Sequence, residues 1–245
     1  QRIYDLGIEI LTFMPKFGNI NGLRYQLHVV IRLSGMNLII DDSDHPLIIK
    51  VASIEAARMQ VYFIDNEEYF QRKQTYRDAD GTFYADNDDR AIFFGRGVLE
   101  TVKKLGWSPD IIHCHGWMTG LIPLLIKTSY KEDPMFHNSK VVYSLYNDSF
   151  DEPFNTNFGK KILMDGLTAA DVKELKDPNY VSLTKLAMQW SDAVVKSSPT
   201  IHDQVETAFK KLTKPTLDYK SPEEYIEAYD TFYDEAVLED SVLAD

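Results

Sequence analysis

Apolar positions fall in short runs early in the chain and in helical stripes later. Residues 8–14 form an apolar run stopped by Pro15 and Gly18, which predicts a buried strand. Residues 1–6 read as the tail of a helix with Gly7 as its C-cap, so a further element, expected to be a strand, precedes Gln1. Short runs rich in Val, Ile and Leu follow at 27–33, 37–40, 47–52 and 59–64. Turn signals separate them at Ser34-Gly35, at Asp41-Asp42-Ser43-Asp44 and at His45-Pro46, and Asp78 to Gly81 marks another tight turn.

After Asn87 the period changes. Residues 88–105 place Ile92, Phe93, Val98, Leu99, Val102 and Leu105 at helical spacing, with Asp88 or Asp89 as N-cap and Gly106 as C-cap. Strands are then expected at 110–114, 141–146 and 193–197, and helices at 119–128, 180–190 and 201–212. Helices alternating with short buried strands indicate βαβ crossovers. The predicted fold is a Rossmann-like α/β domain with a mostly parallel sheet and a β-rich insertion.

The segment after Lys214 differs. Residues 222–236 are acidic and carry Tyr225, Tyr229, Phe232 and Tyr233. Tyr225, Tyr229 and Phe232 share one helical face, which predicts an amphipathic helix docked on the domain. Residues 238–245 read as a frayed acidic end. One domain over 1–212 with a tail over 213–245 is the simplest organisation.

Composition narrows the function. With 26 basic and 38 acidic residues the formal charge is −12. A basic face for nucleic acid is not expected, nor is electrostatic docking on anionic lipid. No run approaches the ~18 apolar residues of a membrane span. One cysteine, Cys114, excludes an internal disulfide framework and a multi-cysteine zinc site, and suits the reducing cytoplasm.

The richest local chemistry is the run Asp110-Ile-Ile-His-Cys-His-Gly-Trp-Met118. A buried strand delivers His113, Cys114, His115 and Trp117 to a strand–helix junction, where ligands of open α/β sheets bind. His115 and Trp117 then line a sugar or phosphate pocket. The bland alternative is a histidine pair satisfied at the sheet edge and a core Trp117. His113 and His115 share a strand face, as metal ligands can, but no third ligand sits at a typical spacing, so no metal is expected. Tyr146, Asn147 and Asp148 end a second strand, either as the other wall of the crevice or as turn chemistry. Gly95-x-Gly97 lies inside a helical pattern and is not a nucleotide fingerprint. Cys114 reads as a buried thiol rather than a nucleophile. No cofactor is called for.

The order Tyr62-Phe-Ile-Asp-Asn66, Tyr69-Phe70, Arg72, Asp80-Gly81, Tyr84, Asp86-Asn87 and Arg90 resembles bacterial glycogen and starch synthases. So do Pro109 through Trp117, Lys140 through Asn147, and Ser191-Asp192 to Ser198-Pro199. The likeness runs from about Ile10 to Ile201 and is to the N-terminal starch-synthase catalytic domain of glycosyltransferase family five, in the form common in Bacteroidetes-type bacteria. It implies the N-terminal lobe of a two-lobed GT-B glycosyltransferase. Such enzymes move glucose from ADP-glucose to an α-1,4-glucan with retention. The N-terminal lobe mostly serves the acceptor, and the other lobe holds the nucleotide sugar.

Four departures qualify the resemblance. The family's Lys-Thr-Gly-Gly loop is not in the chain. Gly116 stands where the family's His-x-His-Asp-Trp-His motif has Asp, and Met118 where it has the last His. Tyr146 stands for the His of the Thr-x-His-Asn motif, leaving Asn147. The chain also ends where the donor lobe is expected to begin. Losing single catalytic or electrostatic groups costs ~10²–10⁴ in rate. The expected substrate-binding positions are His113, His115, Gly116, Trp117, Tyr146 and Asn147, with no catalytic residue assigned. The expectation is an acceptor-side lobe that does not transfer glucose alone, met by a separate donor-lobe chain or a second copy of itself. The alternative is a non-catalytic glucan-binding or regulatory module.

Overall fold

A computed structural model describes residues 9–20, 26–54 and 59–238. The expected helix over 1–6, its Gly7 cap and the frayed end after 238 lie outside the described residues. The chain divides into two compact units, Gln1–Gly106 and Trp107–Asp245.

The first unit holds β1 (Leu11–Pro15), β2 (His28–Val29), β3 (Met36–Ile40), β4 (Ser43–Ile54), β5 (Met59–Asp65), α1 (Glu67–Phe70) and α2 (Asn87–Leu105). Its sheet runs β1-β5-β4-β2, with β3 also paired to β4. Only β1 and β5 are parallel; the other pairs are antiparallel. Burial along β4 alternates at His45, Leu47 and Ile49, as expected of an antiparallel strand with one face on the core. The β3–β4 hairpin closes at Asp41-Asp42, both at positive φ (49° and 62°), with Ile40 paired to Ser43. That is the twist-matched two-residue turn. The turn predicted at His45-Pro46 is therefore strand instead. Proline is tolerated there because β4 pairs at that point with β3 alone among the described strands.

In α1, the Asn66 side chain accepts from the backbone N–H groups of Glu68 and Tyr69. The N-cap of α2 is Asp86, not Asp88 or Asp89, which occupy its first turn and favour the helix dipole. Asp86 makes no side-chain cap because its carboxylate is bound by the Arg72 guanidinium. Gly106 closes α2 at φ 66°. A Cβ on Gly97 would come within 2.9 Å of Ile64, so this glycine lets α2 lie close on the sheet.

Arg90 of α2 is fully buried and caged. It donates to Tyr69 O (2.8 Å), Asn87 Oδ1 (2.5 Å) and Thr75 O (2.7 Å), and its guanidinium lies 5.2–5.7 Å from the rings of Phe17, Phe70 and Tyr84. Burial first, and Arg72 second, lower its pKa to about 10, which still leaves it charged at neutral pH.

The second unit is the parallel α/β part: β6 (Ile111–His115), α3 (Ile122–Lys127), β7 (Lys140–Leu145), α4 (Phe158–Lys161), α5 (Tyr180–Trp190), β8 (Ala193–Lys196), α6 (Asp203–Phe209), β9 (Thr216–Leu217) and α7 (Tyr225–Thr231). Sheet order is β6-β7-β8-β9, all parallel. β7 and β8 are buried almost throughout, as strands covered on both faces must be. The helix expected at 119–128 is split into a 3-10 turn at Trp117–Thr119 and α3, separated at Gly120. α5 spans the expected residues because Asn179 and Ser182 form a reciprocal capping box.

The C-terminal segment covers one face of this sheet. Phe232 and Val237 pack on Val142, Ala193 and Val195, with Tyr229 and Tyr233 alongside. Beyond α7 the chain winds as a π-helix over Phe232–Leu238 rather than continuing the predicted α-helix. The wider turn puts residues five apart on one face, so Phe232 and Val237 both reach the sheet. No described helix is long and apolar enough to cross a membrane.

Candidate functional site

The site is built at the carboxyl ends of β6, β7 and β8. Register pairs His113 with Val142 and His115 with Ser144, so both histidines lie on the sheet face that the C-terminal segment covers. Their rings stack at 4.1 Å. Cys114 points the other way and is buried, and burial alone pushes its thiol pKa far up. It is a core thiol.

His113 has both nitrogens engaged. Nε2 lies 2.6 Å from Ser144 Oγ, and Nδ1 meets the Tyr233 hydroxyl from the C-terminal segment. Ser197 Oγ donates to Ser144 Oγ at 3.0 Å and lies 2.9 Å from the Tyr229 hydroxyl. One assignment satisfies the whole chain: Tyr229 donates to Ser197, Ser197 to Ser144, Ser144 to His113 Nε2, and His113 Nδ1–H to Tyr233. Burial, then His115, hold the His113 pKa well below the ordinary value, so the ring is neutral.

His115 is exposed at the end of the strand, though protein around its ring also lowers its pKa. Nδ1 meets the Tyr146 hydroxyl at 2.8 Å, and Nε2 has no protein partner among the described residues. Asn147 is exposed and uses its backbone N–H, which donates to Ser198 Oγ at 3.1 Å. Its side-chain amide points to no described protein partner.

Gly116 turns the chain out of β6 at φ 74°, ψ 176°. Only glycine adopts this region readily. Its N–H continues the ladder to Ser144 O (3.2 Å). A Cβ here would stand 2.8 Å from Asp148 Oδ2. Asp148 bridges three elements. Oδ2 accepts from the Trp117 backbone N–H (3.2 Å), and Oδ1 from the Tyr180 hydroxyl at the start of α5 (2.7 Å). Burial raises its pKa, opposed by these hydrogen bonds.

The structure brings His113, His115, Gly116, Tyr146 and Asn147 to one place. It does not bring the Trp117 ring there. Trp117 is 2% exposed and its indole packs on Phe150 and Phe154, with centroids at 5.2 and 5.7 Å. Its contribution is the backbone N–H. Met118 is likewise buried. Sequence reasoning had Asp148 only as crevice wall or turn chemistry, without its bridging role, and missed the hydroxyls of Ser144, Ser197, Tyr180, Tyr229 and Tyr233. The recurrence of Ser144 and Ser197 near adjacent strand ends was the available signal. Among the described residues no group of His, Cys, Asp and Glu side chains is placed to hold a metal ion.

Comparison with known proteins identifies the family and the fold. Residues 1–216 match the family described as the starch synthase catalytic domain. The chain is 41% identical over 148 residues to glycogen synthase of Chlorobium limicola, covering 60% of this chain and 30% of that protein. It is 33% identical over 208 residues to glycogen synthase of Chlorobium luteolum, covering 84% of this chain and 42% of that protein. Matched regions thus span well under half the length of these relatives. The catalytic domain of starch synthase IV from Arabidopsis thaliana, bound to ADP and acarbose, superposes with a TM-score of 0.61 at 20% identity, over 84% of this chain and 43% of that one. The fold is accordingly the α/β fold of a GT-B glycosyltransferase, and the chain belongs to the starch synthase catalytic domain family.

Proposed function

We propose that this chain is an acceptor-side lobe of the glycogen/starch synthase kind, which binds an α-1,4-glucan and does not complete glucosyl transfer from ADP-glucose by itself. One observation carries the reading: the strand-end cluster is made of neutral and acidic hydrogen-bonding groups with no free cation. His115 Nε2, the Asn147 amide and the Asp148 carboxylate suit the hydroxyls of a sugar. The nearest strand-end cation, Lys196, is spent on Glu206 at 2.7 Å. A departing nucleotide diphosphate needs positioned positive charge, and this cluster offers none among the described residues. Gly116, Met118 and Tyr146 in the family's reactive positions support the same conclusion. The donor side then falls to a separate donor-lobe chain or a further segment, in a reducing cytoplasmic setting that keeps Cys114 a thiol.

Calorimetric titration with maltoheptaose and, separately, ADP-glucose tests this reading. Saturable heat with maltoheptaose and none with ADP-glucose is expected. No heat with maltoheptaose overturns the acceptor role. Incorporation of labelled glucose into glycogen by the purified chain alone overturns the requirement for a donor side. A purely regulatory glucan-binding module is favoured instead if maltoheptaose binds but no cell fraction restores incorporation.

A further inference from the structure

Asp148 is an anion that no cation faces among the described residues. Oδ1 accepts from the Tyr180 hydroxyl at 2.7 Å and Oδ2 from the Trp117 N–H at 3.2 Å, and the residue's own backbone N–H also serves the carboxylate. An ionised carboxylate has about four acceptor positions, so room remains for a further donor. The longer of the two bonds leaves Oδ2 the less satisfied oxygen. A bridge between β6, β7 and α5 alone does not require charge, since a neutral amide oxygen also accepts from an N–H and a hydroxyl. The glycine beside it adds a second constraint. Any side chain at position 116 would begin 2.8 Å from Oδ2, whereas glycine leaves that approach unfilled.

We propose that Asp148 is a sugar-binding residue whose Oδ2 accepts hydroxyl hydrogens of the bound glucan, with Gly116 leaving the approach to that oxygen unfilled. The inference rests on the glucan-binding reading above and gives it a named acceptor. His115 and Asn147, on the neighbouring strand end and the adjacent position, supply the complementary groups. The raised Asp148 pKa is the cost of holding a half-buried anion without a counter-ion, which a sugar's hydroxyl donors would offset.

Maltoheptaose titration of the parent chain, Asp148→Asn and Tyr180→Phe decides it. Asp148→Asn keeps the shape and an acceptor but removes the charge; at least tenfold weaker binding is expected. Tyr180→Phe loosens the bridge but keeps the carboxylate, and a clearly smaller loss than that of Asp148→Asn is expected. Parent-like binding by Asp148→Asn, or equal weakening in both variants, overturns the proposal while leaving glucan binding intact. If Asp148→Asn does not fold, carbodiimide labelling of the parent carboxyls, read by peptide mass spectrometry, replaces it. Protection of Asp148 by saturating maltoheptaose supports the proposal, and unchanged labelling overturns it. A parent chain that does not bind maltoheptaose at all removes both this inference and the reading it rests on.

Discussion

Arg90 in the first unit and the strand-end cluster in the second both bury polar groups, by opposite means. Arg90 brings a full charge inside and spends it: backbone carbonyls, one amide oxygen and three aromatic rings surround its guanidinium. The strand ends join a neutral web of two imidazoles and several hydroxyls, and among the described residues leave valences open at His115, Asn147 and Asp148. A saturated polar cluster is architecture. A cluster with spare donors and acceptors facing outward can meet a ligand.

The largest break in this contrast is Arg90→Met. It strips two buried acceptors and one part-buried acceptor of their partner at about 1–3 kcal/mol each, so a loss of at least about 3 kcal/mol is expected in urea denaturation followed by circular dichroism. Gly116→Ala comes next. This glycine-only backbone region costs about 1–3 kcal/mol for another residue, and contact with Asp148 adds to it, for at least about 2 kcal/mol by the same assay.

Acidification separates the two regions further. Because His113 is held neutral, its folded pKa lies below its unfolded value. Its stabilisation is therefore complete above the unfolded value near 6.5 and is lost as pH falls below it. Stability should decline below about pH 6.5, with His115, also held below its ordinary value by burial, adding to the slope, and His113→Gln should reduce that slope by up to about 1.4 kcal/mol per pH unit. Arg90 stays charged across this range and contributes no such slope. The smallest effect belongs to Tyr233→Phe, which removes one hydrogen bond to His113 for about 1 kcal/mol. A cost near zero would show the C-terminal segment to be held by Phe232, Val237 and Tyr229 without help from this bond.

Much of the architecture was legible because local chemistry agreed with it. Asn179 and Ser182 mark the start of α5, and Gly106 marks the end of α2. The failures had tertiary causes. Arg72 takes the Asp86 carboxylate, so the α2 cap is invisible to a one-dimensional rule. The π-helical turn exists because Val237 must reach the sheet as well as Phe232. At the site, strand alternation correctly put His113 and His115 on one face, but nothing local tells which way an indole turns after a glycine. Trp117 went into the Phe150–Phe154 core, and the carboxylate came from the neighbouring strand end at Asp148.

Cys114 carries a practical consequence. The thiol sits inside β6 one residue from each histidine, yet it is sealed and protonated at neutral pH. A maleimide dye or nitroxide would therefore ignore the native chain and react with a cysteine engineered on its surface. Distances from the strand ends to any bound oligosaccharide become measurable without first removing the residue that nature placed beside them.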